Sequence, residues 1–118
     1  MSESWQGYMC IGNGWGETIT DVTFVHSLKG SDHKDTINVP SMAVGDVSEV
    51  LAFVAYSNME DDWSISFYDS NGVEKSASFS NAGFKNEDQD GILFAQITNE
   101  NDRATLYFPV SSDEHTGL

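Results

Sequence analysis

Residues 46–80 read DVSEVLAFVAYSNMEDDWSISFYDSNGVEKSASFS, and their pattern decides the fold class. Trp63, Ile65, Phe67 and Asp69 alternate with Ser64, Ser66 and Tyr68. A repeat of two puts successive side chains on opposite faces, the mark of a half-buried strand. After Asn71-Gly72 the alternation resumes, with Val73, Lys75, Ala77 and Phe79 against Glu74, Ser76 and Ser78. Asn-Gly alone favours a two-residue hairpin turn. That loop would pair Phe67 with Ser76 and Ile65 with Ser78, and so put the two apolar sets on opposite faces. A three-residue loop, Ser70-Asn71-Gly72, instead pairs Ile65 with Ala77 and Trp63 with Phe79. One face is then apolar throughout, except for Lys75 opposite Phe67. A one-residue slip turns every side chain over, so the burial pattern outranks the dipeptide. Gly72 is then expected in the left-handed position of a bulged loop, where a Cβ is costly. Upstream, Val50 to Tyr56 (VLAFVAY) is apolar on both faces and reads as a central strand covered on both sides.

The rest of the chain extends this all-β reading. Trp5 to Ile11 forms a first strand, and Gly12-Asn13-Gly14-Trp15-Gly16 reads as a flexible turn with Trp15 exposed in it. These glycines lack the spacing, the Lys and the Ser/Thr of a phosphate loop. Glu17 to Ser27 is strand-like, and its apolar residues change phase between Phe24 and Val25, which points to a bulge there. Asp35 to Val39 is a short strand stopped by Pro40. Asn81 to Gly91 is a long acidic loop. In the last hairpin Leu93, Ala95 and Ile97 meet Ala104, Leu106 and Phe108, provided that the loop is the four residues Asn99 to Asp102 and Arg103 lies beside Thr98. Pro109 ends that strand or confines it to an edge. The expectation is one domain over residues 1–118, an antiparallel β-sandwich of about eight strands, with loose termini at 1–4 and 111–118. An exposed edge strand could support a dimer, and the oligomeric state is left open.

Composition narrows the function classes. Nineteen Asp and Glu against five Lys and Arg give a formal net charge of −14. Direct nucleic-acid binding needs clustered Lys and Arg and is not expected. No run is apolar and long enough to span a membrane as a helix, and no signal peptide is recognisable. The single Cys10 cannot form an internal disulfide. That suits a cytoplasmic protein, or one exported without a recognisable signal peptide. The negative charge is either a solvated surface or a mimic of nucleic-acid charge that blocks a basic protein.

Few residues carry chemistry. Asn86, Asp88, Asp90 and Gly91 follow the opening of a calcium loop, but its twelfth position is Ile97, where a bidentate Glu is needed. This is not an EF-hand, although calcium could bind if Asp61 and Asp62, with Glu60, approached Asp88 and Asp90 at one end of the sandwich. His26, His33 and His115 lack zinc-ligand spacing, and His26 reads as a hydrogen-bonded structural residue. Cys10 reads as a core residue, and no catalytic set is found. Trp63, Phe67, Phe53, Phe79 and Phe108 fit the core. Trp15, Tyr8, Tyr56 and Tyr68, with Trp5 and Tyr107, are the candidates for a binding surface.

The segments CIGNGWGETITDVTFVHSLKGSDHKD, MAVGDVSEVLAFVAYS and DDWSISFYDSNG resemble a family of small single-domain β-sandwich proteins. That family was first noted among nematode products raised when insulin signalling is reduced, and it has fungal and bacterial members. The matching residues are Asn13, Thr18 to Thr23, His26-Ser27, Gly45 with Ser48, Asp62-Trp63 with Phe67, and Ser111-Ser112 after Pro109. More loosely the chain is similar to the aegerolysins, acidic lipid-binding proteins of this size. The resemblance implies the sandwich fold. Taken together, the residues lead to the expectation of a non-catalytic binding module. It would engage a lipid headgroup, a glycan or a protein through loops and exposed aromatics at one end. The alternative is an acidic inhibitor or immunity-type protein.

Overall fold

The computed structural model describes residues 3–118. They form nine strands: β1 (Ser4–Gly14), β2 (Ile19–Leu28), β3 (Lys34–Met42), β4 (Leu51–Tyr56), β5 (Asp61–Tyr68), β6 (Glu74–Phe79), β7 (Ile92–Thr98), β8 (Arg103–Tyr107) and β9 (Glu114–Gly117). A single 3-10 turn, Asn86–Asp88, precedes β7. The strands make two packed sheets, a five-stranded one in the order β4-β1-β7-β8-β9 and a four-stranded one in the order β3-β2-β5-β6. This is an all-β sandwich. All strand pairs are antiparallel except β1–β7, which runs parallel from Tyr8↔Ile92 to Gly14↔Thr98.

The two hairpins follow the sequence pattern. In β5–β6, Ile65 pairs with Ala77, Trp63 with Phe79 and Phe67 with Lys75. Gly72 takes φ +77°, as a bulged three-residue loop requires. In β7–β8, Thr98 pairs with Arg103 and Ala95 with Leu106 across the four-residue loop. The inward residues of both sheets meet in one core. Phe24, Trp63 and Phe67 come from the smaller sheet, and Met9, Ile11, Phe53, Leu93 and Leu106 from the larger. Trp63 Nε1 donates to the Ala82 carbonyl at 2.8 Å, so its one polar atom is not left unpaired in the core.

Several expectations are corrected. The apolar run 50–56 is not a central strand, because β4 is an edge strand with Phe53 and Ala55 buried and Ala52 and Tyr56 exposed. Its outer apolar residues, Ala52, Val54 and Tyr56, lie on the outer face of the sheet. β3 runs through Pro40 to Met42, which it can do because it too is an edge. The bulge in β2 lies at Asp21, with φ +49°, where the register shifts between Thr20 and Thr23. From Val22 onward the strand alternates without a break, so His26 rather than Val25 points inward. The 111–118 tail supplies β9, and Leu118 packs on the core. At the other terminus Ser4 already belongs to β1, and residues 1–2 lie outside the described residues.

The segment Gly12–Gly16 is not a flexible turn. Gly12 to Gly14 continue β1, and the buried Asn13 pins the turn that follows. Asn13 Nδ2 donates to the carbonyls of Glu17 (2.9 Å) and Met42 (3.0 Å), and its Oδ1 accepts from Trp15 N–H (2.8 Å). Trp15 is therefore buried, against expectation. Its indole meets Phe67 edge-on at 5.2 Å, and the Lys75 ammonium lies 6.0 Å from the ring centroid. This explains how an inward-facing lysine is tolerated opposite Phe67. Its stem runs along the core edge and its charge sits on an aromatic face at the end of the sandwich.

Candidate binding face

The outer face of the five-stranded sheet is unlike the rest of the surface. Alternation and register define its residues: Ala52, Val54 and Tyr56 on β4; Gln6, Tyr8, Cys10, Gly12 and Gly14 on β1; Ile92, Phe94, Gln96 and Thr98 on β7; Arg103, Thr105 and Tyr107 on β8; His115 and Gly117 on β9. Among the described residues none of the nineteen Asp and Glu side chains belongs to this set. Ile92 is 50% exposed and Tyr107 44%, so this is a solvent-facing surface with apolar side chains on it.

The glycines of β1 shape this face. A Cβ on Gly12 would lie 2.6 Å from both Gln96 Oε1 and Phe94 Cζ, and one on Gly14 would strike the Gln96 amide. Phe94 and Gln96 therefore lie down over the β1 backbone instead of standing off the sheet. Phe94 and Tyr107 sit side by side, ring centroids 6.5 Å apart. Tyr8 is half-buried, and its hydroxyl accepts from Gln6 Nε2 at 3.1 Å. The result is a broad platform of aromatic rings interleaved with amide and hydroxyl groups. Cys10 is buried as expected, on the platform side of β1 rather than in the main core cluster. Burial pushes its thiol pKa up, so it stays a protonated, weakly reactive group.

The sequence-derived aromatics do not converge at one end. Tyr8 and Tyr56 belong to the platform, and Trp15 is in the core. Tyr68 lies on the outer face of the other sheet, paired with Glu74, whose charge raises its phenol pKa. Tyr107, named among the candidates, also belongs to the platform, whereas Phe94 and Ile92 were missed. The signal was in the register, since β1 and β7 pair in parallel although they are far apart in the chain.

Of the acidic candidates, two are internal. Asp88 is fully buried. Its carboxylate accepts from the N–H groups of Lys85 (2.9 Å), Val110 (2.9 Å) and Ser111 (2.8 Å) and from Ser111 Oγ (2.6 Å). Burial acts to raise its pKa, but the Ser111 hydroxyl and N–H, then the Lys85 and Val110 N–H groups, outweigh it and hold the pKa below the usual range. Asp61 is buried as well, bonded to His26 Nε2 at 2.7 Å and to Phe84 N–H at 3.1 Å. His26 Nδ1 meets Asp35 at 3.1 Å, so both ring nitrogens face carboxylates. Asp62 accepts from Asn81 N–H, while Asn86 and Asp90 are exposed. Among the described residues no three or more His, Cys, Asp and Glu side chains are arranged to hold a metal ion. These donors do not fit calcium as folded, because a cation would have to displace the N–H groups that saturate Asp88 and Asp61. The same burial removes Asp61 and Asp88 from the acidic face expected of a charge mimic.

Compared with models of known protein families and with curated proteins, the chain matches none. Fold and face together describe an all-β sandwich that presents, on one sheet, an aromatic platform whose paired strand residues include Arg103 but no carboxylate.

Proposed function

We propose that this protein is a non-catalytic binding module that holds an uncharged glycan on the outer face of its five-stranded sheet. One observation carries the reading. In a chain of net charge −14, the one broad sheet face without a carboxylate among the described residues displays Tyr8, Phe94, Tyr107 and Ile92 beside Gln6, Gln96 and Thr105. The apolar faces of pyranose rings stack on aromatic rings, and their hydroxyls need amide and hydroxyl partners. The face supplies both. A platform without cationic clusters offers little to phosphate or sulfate groups, and the surrounding carboxylates repel them. A sheet face is also long and shallow, which suits several residues of a polymer better than one enclosed sugar.

The test is co-sedimentation with insoluble neutral polysaccharides, with an anionic polysaccharide and neutral phosphatidylcholine vesicles as parallel arms. Saturable capture by a neutral polysaccharide, lost in Tyr107→Ala and Phe94→Ala, is the expected result. Capture by vesicles alone would move the ligand to a lipid. No capture in any arm would remove the reading.

A further inference from the structure

A second surface lies between the edges of the two sheets. On one side of the sandwich β6 and β9 lie against each other. On the other side the edge strands β3 and β4 part around a groove of about 480 Å3, lined by Ile37 and Val39 on one wall and by Val47, Val50 and Leu51 on the other. Val47 and Val50 are 55% and 50% exposed, a costly place for apolar side chains with nothing on them.

The edges differ in how they are guarded. Proteins blunt open edges with charge, proline or short strands. β9 is four residues long, and β6 carries Glu74 and Lys75. β3 has Lys34 at its start and Pro40 near its end, but between them Thr36-Ile37-Asn38-Val39 has neither charge nor proline. One side of this stretch pairs with β2, and no strand lies on the other. The edge strand β4, Leu51–Tyr56, also lacks charge and proline, but it borders the groove only at Leu51, whereas Thr36 to Val39 of β3 line it throughout.

We infer that β3 adds an extended peptide segment of a partner protein as a further strand, with that segment's inward side chains filling the groove. Strand addition supplies main-chain hydrogen bonds for affinity, and alternate side chains in the groove supply selection. At a rise of about 3.3 Å per residue, the four residues Thr36 to Val39 accept about four to five residues of partner. The apolar wall residues Ile37, Val39, Val47 and Val50 favour small alternate apolar residues such as valine or isoleucine. Charge selects the flanks. The walls and their approaches, residues 32–50, contain Asp32, Asp46 and Glu49 against Lys34 alone, with Asp35 turned to His26 and His33. The partner segment therefore carries Lys or Arg on either side of its apolar centre, and binding weakens as salt rises.

The experiment is selection from a phage-displayed library of random dodecapeptides against the intact protein. The expected outcome is enrichment of alternating apolar sequences flanked by Lys or Arg. As synthetic peptides these should bind the wild type at least about tenfold more tightly than Val50→Asp, a change at an exposed position that leaves the melting curve in place. N-methylation of alternate peptide amides should abolish binding, and bound peptide should slow hydrogen exchange in β3. Four results would each overturn the inference: no enrichment, equal binding to Val50→Asp, indifference to N-methylation, or self-association of the protein through this edge.

Discussion

At the scale of single residues, Asp88 does more than any other acid in the chain. It sits in the 3-10 turn before β7, fully buried, and ties Lys85 to Val110 and Ser111. The loop 81–91 and the segment after β8 are thus held by one carboxylate. Asp88→Asn replaces an acceptor oxygen with a donor amide facing N–H groups. The change is expected to cost about 2–4 kcal/mol in urea denaturation at pH 7. The sign of the pH dependence follows from the lowered folded pKa. The contribution is fully present above the unfolded value near 3.8 and is lost as pH falls through the folded one. The stability gap between wild type and Asp88→Asn should therefore narrow between about pH 5 and pH 2. A gap that stays constant over that range would mean that the carboxylate's charge is not what the site holds.

At the scale of elements, the β5–β6 hairpin and the β1–β7 pair make opposite demands on glycine. Gly72 has φ +77°, and an added Cβ would meet nothing within 4 Å. Gly72→Ala should therefore cost only the backbone strain, about 1 kcal/mol, and leave the register intact. A larger loss in thermal denaturation, or a changed β5–β6 pairing by NMR, would contradict the loop as described. Gly12 is needed for space rather than φ, because its Cβ would displace Phe94 and Gln96. Phe94 is also the register partner of the buried Cys10 on β1. Phe94→Ala should open the thiol, raising its rate of reaction with a disulfide reagent by about tenfold or more at constant pH. An unchanged rate would show that Phe94 does not form the platform over β1.

At the scale of the whole molecule, charge separates the surfaces. The outer face of the five-stranded sheet has no carboxylate among its paired strand residues, so the glycan affinity proposed for it should be nearly flat between low and physiological salt. A charge-mimicking inhibitor would lose affinity steeply over the same range. Millimolar calcium, checked against EDTA, should leave the melting midpoint where it is. The carboxylates of Asp88 and Asp61 already have internal donors, and a ligand raises the midpoint only by binding the native state. A clear rise reversed by EDTA would instead place an ion among Asp90, Asp62 and their neighbours.

The alternation in 63–79 and 93–108 determined two hairpins, their loop lengths and the all-β class, because pairing between neighbouring segments is written in local period and parity. The core aromatics Phe53, Trp63, Phe67, Phe79 and Phe108 were legible for the same reason. What the tertiary structure alone decided was long-range. The 50–56 run, equally apolar on both faces, lies at an edge because β7 rather than β4 takes the centre beside β1. Asp61 and Asp88 read as surface acids until distant N–H groups, and for Asp61 His26, came to meet them. Tyr8, Phe94 and Tyr107 read as scattered residues until three strands from the two ends of the chain aligned them on one face. Local pattern reports which way a side chain points, but only the order of strands in the sheet sets which side chains stand beside it.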